Sequence, residues 1–227
     1  MTIIRVVDCE TTGLPPDAAI VEIAWQDIEP DADTWLRGCW HSLVNPMRAI
    51  PAEASAVHHL TDFDVAGAPT IDKLTGRLLG GADIFAAHSA AFEGAFLDFG
   101  GAPVICTLKA SRRVWPEAPG HRNQVLRYWL GLPLSAMSAS PPHRALPDAY
   151  VTAWILHALL ATGATVDNMI QWTKEPSLLP KITFGKHRGQ KWSEAPIDYL
   201  DWLVAKSEMD EDVKFTARHE LKRRAAS

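Results

Sequence analysis

The chain has 227 residues, 47% hydrophobic and 22% charged, with a formal net charge of −5. These proportions suit a folded globular protein and exclude a disordered or low-complexity chain. The acidic balance argues against broad electrostatic wrapping of duplex DNA. No apolar run reaches the roughly 18 residues of a membrane span, and the short apolar start is interrupted by Asp8, so neither a membrane segment nor a secretion signal is expected. Three widely spaced cysteines, Cys9, Cys39 and Cys106, form no C-x-x-C pair, which fits reduced thiols in the cytoplasm.

In chain order, residues 3–7 are a β-branched run that reads as a buried strand, followed by a turn over 11–16. Residues 19–28 and 35–44 read as two further strands of an antiparallel meander. Pro51 opens a short helix through Val57, and a longer helix is expected over 70–79 with Thr70 as its N-cap. A short strand over 84–87 feeds a helix over 90–99, and 103–105 is a candidate last strand. Helices follow over 108–114 and 124–130. Residues 131–142 are a Pro/Ser/Ala-rich loop, and 147–160 form a strong helix, with Pro147 suited to its first turn and Gly163 to its end. Strands first, then strands alternating with helices, imply an α/β fold with a mixed sheet flanked by helices.

Composition shifts near the end. Residues 1–180 carry 12 Lys+Arg and 19 Asp+Glu, whereas 181–227 carry 10 and 8. The expected organisation is a main domain over 1–172, a linker over 173–181 and a small basic C-terminal module over 182–227. In the module Lys181, Lys186, His187, Arg188 and Lys191 lie beside Phe184 and Trp192. That pattern suits single-stranded nucleic acid and equally a module docked on the main domain. Its last part, 213–224, reads as a charged helix.

Three constellations carry chemistry. Asp8-Cys9-Glu10 ends the first strand, so period-two alternation puts both carboxylates on one face. At about 4 Å and an effective dielectric near 20 they repel by about 4 kcal/mol, which a hard divalent cation would relieve. His143-Arg144-Ala145-Leu146-Pro147-Asp148 places Asp148 in the first turn of a helix and His143 in the loop before it. His88-Ser89-Ala90-Ala91-Phe92-Glu93 puts Glu93 beside an aromatic stripe of Phe92, Phe96 and Phe99. Asp98 lies about 140° further around that helix and cannot share its site. Taken singly, each has a plainer reading: a solvated strand end, an acidic helix start facing the dipole, a surface glutamate.

Taken together and in this order, Val6–Leu14, His88–Glu93 and His143–Asp148 resemble the three motifs of the DnaQ-like (DEDDh) 3′→5′ exonucleases. The spacer Asn45-Pro46 to Thr61 resembles the same family, and the stretch 105–116 and the C-terminal 176–189 are similar to its exodeoxyribonuclease X branch. The resemblance implies a ribonuclease H-like five-stranded sheet and two Mg²⁺ or Mn²⁺ ions held by Asp8, Glu10, Glu93 and Asp148. It also implies His143 as the general base and 5′-mononucleotides as products. It points to Thr11, Thr12, Leu14 and His88 as substrate contacts; separately, Lys109, Arg112 and Arg113 at i, i+3 and i+4 form a basic helix face that is a candidate for phosphate or simply solvated. Two residues depart from the family: Glu93 replaces an Asp and Ser89 an Asn, and the longer carboxylate reaches out by roughly 1.5 Å more. The expected partner is nucleic acid, with single-stranded DNA 3′ ends first and RNA 3′ ends as the alternative. A nucleic-acid-binding module weakened by Glu93 and a polymerase-associated proofreading subunit are the other readings.

Overall fold

The structure is a computed structural model that describes residues 2–205 and 208–226. Its centre is a five-stranded sheet in the order β3-β2-β1-β4-β5. The strands are β1 (Ile4–Thr11), β2 (Ile20–Ile28), β3 (Leu36–Leu43), β4 (Ile84–Ala87) and β5 (Val104–Cys106). β1 pairs antiparallel with β2 and parallel with β4, so the sheet is mixed. Between β3 and β4 come α1 (Ala52–His58), α2 (Asp62–Val65) and α3 (Thr75–Leu79). After β4 come α4 (Ala90–Glu93), α5 (Thr107–Val114), α6 (Asn123–Trp129), α7 (Ala145–Ala161) and α8 (Val166–Lys174). α9 (Ile197–Ala205) and α10 (Glu211–Ala225) close the chain.

Both faces of the central strand are buried, and the alternation decides which residue faces what. Ile4 and Val6 join Ile84, Ala86 and the buried residues Val151, Ile155 and Leu159 of α7 in one core. Val7 and Cys9 join Phe85, Leu78 and Leu97 in a second core on the opposite face. Asp8 and Glu10 are in phase with Ile4 and Val6, so they face α7. Arg5, also buried, meets Asp27 through two hydrogen bonds (2.8 and 2.7 Å) and donates to the carbonyls of Leu78 and Gly80. A third, separate core gathers Ile182, Trp192, Leu200, Leu203, Val213 and Ala217 near the end of the chain.

Several elements differ from expectation. The helix over 70–79 is broken: a 3₁₀ turn over Ile71–Lys73 precedes α3. The helix over 90–99 stops at Glu93, where Gly94 begins a series of tight turns. The phenylalanine stripe still packs, with Phe85 and Phe99 ring centroids 4.9 Å apart. α7 begins at Ala145 rather than Pro147, because Glu22 of β2 accepts the Ala145 N–H (3.0 Å) and caps the helix from across the sheet. α8 was not foreseen; it is opened by a reciprocal cap between Thr165 and Asn168 and runs two residues into the stretch expected to be a linker.

Candidate active site

β1 brings Asp8 and Glu10 to the carboxyl end of the central strand, and the first turn of α7 brings Asp148 over them. One ligand oxygen from each of the three lies within 4.8 Å of the others. At that separation, 4.8 Å, each pair of charges repels by about 3.5 kcal/mol at an effective dielectric near 20. Glu93, from the end of α4, stands outside this tight triad but is only 4% exposed and close enough for its charge to bear on Asp8 and Glu10.

Electrostatics follow from this crowding. Burial first, then the charges of Glu10, Glu93, Asp148 and Glu22, holds Asp8 well above the usual carboxylate range. Burial and the neighbouring charges of Asp148 and Glu22 push Glu10 up to about 8, against a pull from Arg144. Burial pushes Glu93 to about 8 as well. Burial also raises Asp148, opposed by hydrogen bonds from the His143 N–H to Oδ2 (2.8 Å) and from Gln124 Nε2 to Oδ1 (2.9 Å).

Glu93 Oε2 is buried with no hydrogen-bond partner among the described residues. An ionised oxygen so placed is costly unless a cation meets it, and hard divalent cations prefer oxygen ligands. The donor set therefore fits a divalent metal ion.

His143 lies in the loop before α7 with a left-handed φ of 60°, a conformation that costs roughly 1–2 kcal/mol for an L-residue. Its backbone N–H is tied to Asp148, while its imidazole is exposed and makes no hydrogen bond to a described residue. The next residue, Arg144, explains how the loop is held. Its guanidinium grips Glu22 through two hydrogen bonds (2.9 and 2.8 Å), and Glu22, 2% exposed, sits directly opposite Glu10 in the β1–β2 register. Sequence reasoning missed Glu22 and Gln124. A glutamate inside the apolar run Ile20-Val21-Glu22-Ile23 was the available signal, since an unpaired charge does not belong there.

The substrate-contact expectations divide. Leu14 is 78% exposed beside the site. Thr11 and Thr12 are buried, with Thr11 Oγ1 donating to the Gly13 carbonyl and Thr12 Oγ1 accepting the Ala19 N–H, so they shape the turn that presents Leu14. His88 is used internally. Its Nε2 meets the His121 carbonyl at 2.7 Å and must donate, leaving Nδ1 to accept from Thr107 Oγ1 at 2.9 Å. Burial keeps this ring neutral, with a pKa lowered to about 4.

Lys109, Arg112 and Arg113, expected as phosphate contacts, have partners within the protein. Lys109 Nζ donates to the carbonyls of Thr173 and Glu175, Arg112 to Ser177 Oγ, and Arg113 pairs with Glu175 at 2.6 Å. They pin the end of α8 and the following segment to α5. Spacing of i, i+3 and i+4 correctly puts them on one helix face, but that face is covered by chain from 60 residues further on.

An acidic pocket of this composition, at the carboxyl end of the central strand of such a sheet, defines a ribonuclease H-like nuclease. The exonuclease family RNase_T matches residues 6–156. Exodeoxyribonuclease 10 of Escherichia coli (strain K12) is 34% identical over 223 residues, 96% of this chain and 98% of that protein. The solved structure of exonuclease X in complex with 5′ overhanging duplex DNA superposes with a TM-score of 0.66 at 34% identity, covering 75% of this chain and 99% of that one. The nuclease domain of 3′hExo, a DEDDh family member bound to rAMP, matches at a TM-score of 0.55 and 17% identity, a likeness of fold. The chain belongs to the exonuclease family.

Proposed function

We propose that the protein is a 3′→5′ exodeoxyribonuclease that releases 5′-mononucleotides from single-stranded DNA ends. The observation that carries this reading is the triad of Asp8, Glu10 and Asp148 with oxygens within 4.8 Å, backed by the partnerless buried oxygen of Glu93. DNA as the substrate class is supported by the 34% identity to exodeoxyribonuclease 10 along nearly the whole chain. Because the DNA in the related exonuclease X structure is a duplex with a 5′ overhang, a recessed 3′ end is the second substrate to test.

In this reading Asp8, Glu10 and Asp148, with Glu93 in support, hold two Mg²⁺ or Mn²⁺ ions. When bound, such ions neutralise the carboxylates, acidify a water molecule and stabilise charge on the departing oxygen. His143 takes the proton of the attacking water on its free imidazole nitrogen; a histidine on a loop can approach that water. The new bond joins the water oxygen to the terminal phosphorus. The bond broken is that from phosphorus to the 3′ oxygen of the penultimate nucleotide, which leaves with the electron pair. Gln124 and the His143 N–H fix the rotamer of Asp148, while Glu22 and Arg144 fix the loop that carries His143; these act through position.

Among the described residues no single helix is long and apolar enough to cross a membrane. All three cysteines are free, and a cytoplasmic location is part of the proposal. The test uses 3′- and 5′-labelled single-stranded DNA, recessed duplex and RNA, with Mg²⁺, Mn²⁺ or chelator. Stepwise shortening from the 3′ end that stops with chelator and with Asp8→Ala is the expected result. Binding without shortening in either metal would instead favour a nucleic-acid-binding module.

A further inference from the structure

A cleft between the nuclease core and the C-terminal module has a volume of about 420 Å³. Arg112 and Arg113 line it from α5, Lys181, Lys191 and Trp192 from the module's first turns, and His219 from α10. Glu117 and Glu220 are its acidic members, and Glu220 is already engaged by Arg223 and Arg224.

Three features of this lining call for an anion. First, Lys181 and Lys191 form an isolated antiparallel bridge, so their side chains leave the same face of the pair. Like charges directly opposite one another destabilise such a pair unless something negative lies between them. Both are exposed, and neither has an ion pair among the described residues. Second, the Nε atoms of Arg112 and Arg113 and the Nε1 of Trp192, a residue only 5% exposed, are buried donors without an acceptor among the described residues. Buried donors are rarely left so, and an unrecorded ion is one of the few explanations. Third, Arg112 has no carboxylate within ion-pair distance among the described residues; its one hydrogen bond is to Ser177.

The cleft also leads somewhere. A smaller one of about 250 Å³ adjoins it, sharing Arg112 and Pro180, and is lined further by His88, His121 and Arg122. Arg122 is the N-cap of α6, two residues before the Gln124 that holds Asp148. His88 lies two residues past Ala86, which pairs with Val6, just as Asp8 lies two past Val6. Basic groups therefore run from the edge of the acidic pocket, through Arg122 and Arg112, to Lys181 and Lys191.

We propose that this inter-module cleft is a second binding site, which grips the phosphodiester backbone of the substrate strand upstream of the 3′ end being cleaved. It rests on the exonuclease reading for the identity of the strand. Trp192 is buried in the module's own core, so the grip is by phosphate contact and not by base stacking.

The test is binding of a long fluorescent oligothymidylate to the full chain in chelator, across a salt series, with Lys181→Gln/Lys191→Gln as the variant. Each phosphate contact on a single strand contributes about 0.7 to the logarithmic salt slope. Loss of two should flatten the slope by about 1.4 and weaken binding about 25-fold at roughly 0.1 M salt, with the unfolding temperature of the free protein not lowered, since the two like charges are gone. Unchanged affinity and slope in a folded variant overturn the proposal. So does equally tight binding of 5′-dTMP or inorganic phosphate, which would make the cleft a small-anion site, and so does equal competition by polyglutamate. Because no cleavage is needed for this measurement, a failure of the nuclease assay and a failure of the cleft are separate results.

Discussion

Removing metal should make the protein lose stability as pH rises, and the size of the loss follows from the crowded carboxylates. Glu10 and Glu93 are each held at about 8 against an ordinary 4.5. Between those values the native state keeps protons that the unfolded chain has released, so stability falls as pH rises, by about 1.4 kcal/mol per pH unit for each retained proton. The histidines His58, His88, His121 and His157 are all held below 6.5 by burial and work in the opposite sense. Their contribution grows as pH climbs toward 6.5 and is constant above it. From about pH 6.5 to 8 the acids alone remain, and two protons over about 1.5 units amount to about 4 kcal/mol. For a chain of this size that is a fall of roughly 8–16 °C in unfolding temperature. Calorimetry in chelator should show it, and Mn²⁺ should recover more at pH 8 than at 6.5, where protons compete for the same oxygens. A chelated protein whose unfolding temperature is flat or rising over this window would refute the reasoning. So would an Asp8→Asn variant with the same pH dependence and the same response to Mn²⁺.

Replacing His143 by Ala should lower kcat by about 10²–10⁴-fold while leaving the Mn²⁺-induced rise in unfolding temperature intact, since the imidazole holds no carboxylate in place. Glu22→Gln should cost about 2–3 kcal/mol, the low end for a broken buried pair because Arg144 is partly exposed and can rehydrate; thermal unfolding measures that. The same variant should lower kcat more than it weakens Mn²⁺ binding. Glu93→Asp should speed cleavage of single-stranded DNA if the longer side chain misplaces its carboxylate; a rate no higher than that of the parent protein shows that the pocket accommodates the extra methylene. Arg113→Ala removes the pairing with Glu175 and the contact over the Trp172 and Phe215 rings, at 5.6 and 5.5 Å. Limited proteolysis should then cut faster near residues 175–180.

What could be read from sequence was whatever local order encodes. The two-residue alternation of β1 placed Asp8 and Glu10 together, and the mixed sheet followed from strands that first meander and then alternate with helices. Boundaries set from a distance were not readable. α7 starts two residues early because its cap is Glu22, more than 120 residues away in sequence, and no local pattern announces that. Lys109, Arg112 and Arg113 have the spacing of a phosphate-binding face, yet their partners are the end of α8 and the segment behind it. The missed α8 is a different case: Thr165 and Asn168 stand three apart as a capping pair should, and Val166, Met169, Ile170 and Thr173 recur at helical spacing, so this helix was legible in the local order.

The direction of β2 turns out to matter as much as the carboxylates themselves. Because β2 runs antiparallel to β1, its early residue Glu22 lies abreast of Glu10 at the end of the sheet that carries the acidic triad. A parallel neighbour would have brought the end of its strand there instead. Glu22 thus adds a charge where charges already repel, which raises Asp8 and Glu10 further. That cost is offset locally, since the same carboxylate takes the Arg144 guanidinium and the first N–H of α7. α7 carries Asp148, and the loop before it carries His143. One buried glutamate therefore sets the height of Asp148 and the reach of His143, the proposed base, together. On this argument Glu22→Gln should perturb His143 and Asp148 jointly: the pH–rate profile and the metal dependence should both move, whereas a purely structural cap would lower the unfolding temperature and leave both profiles in place.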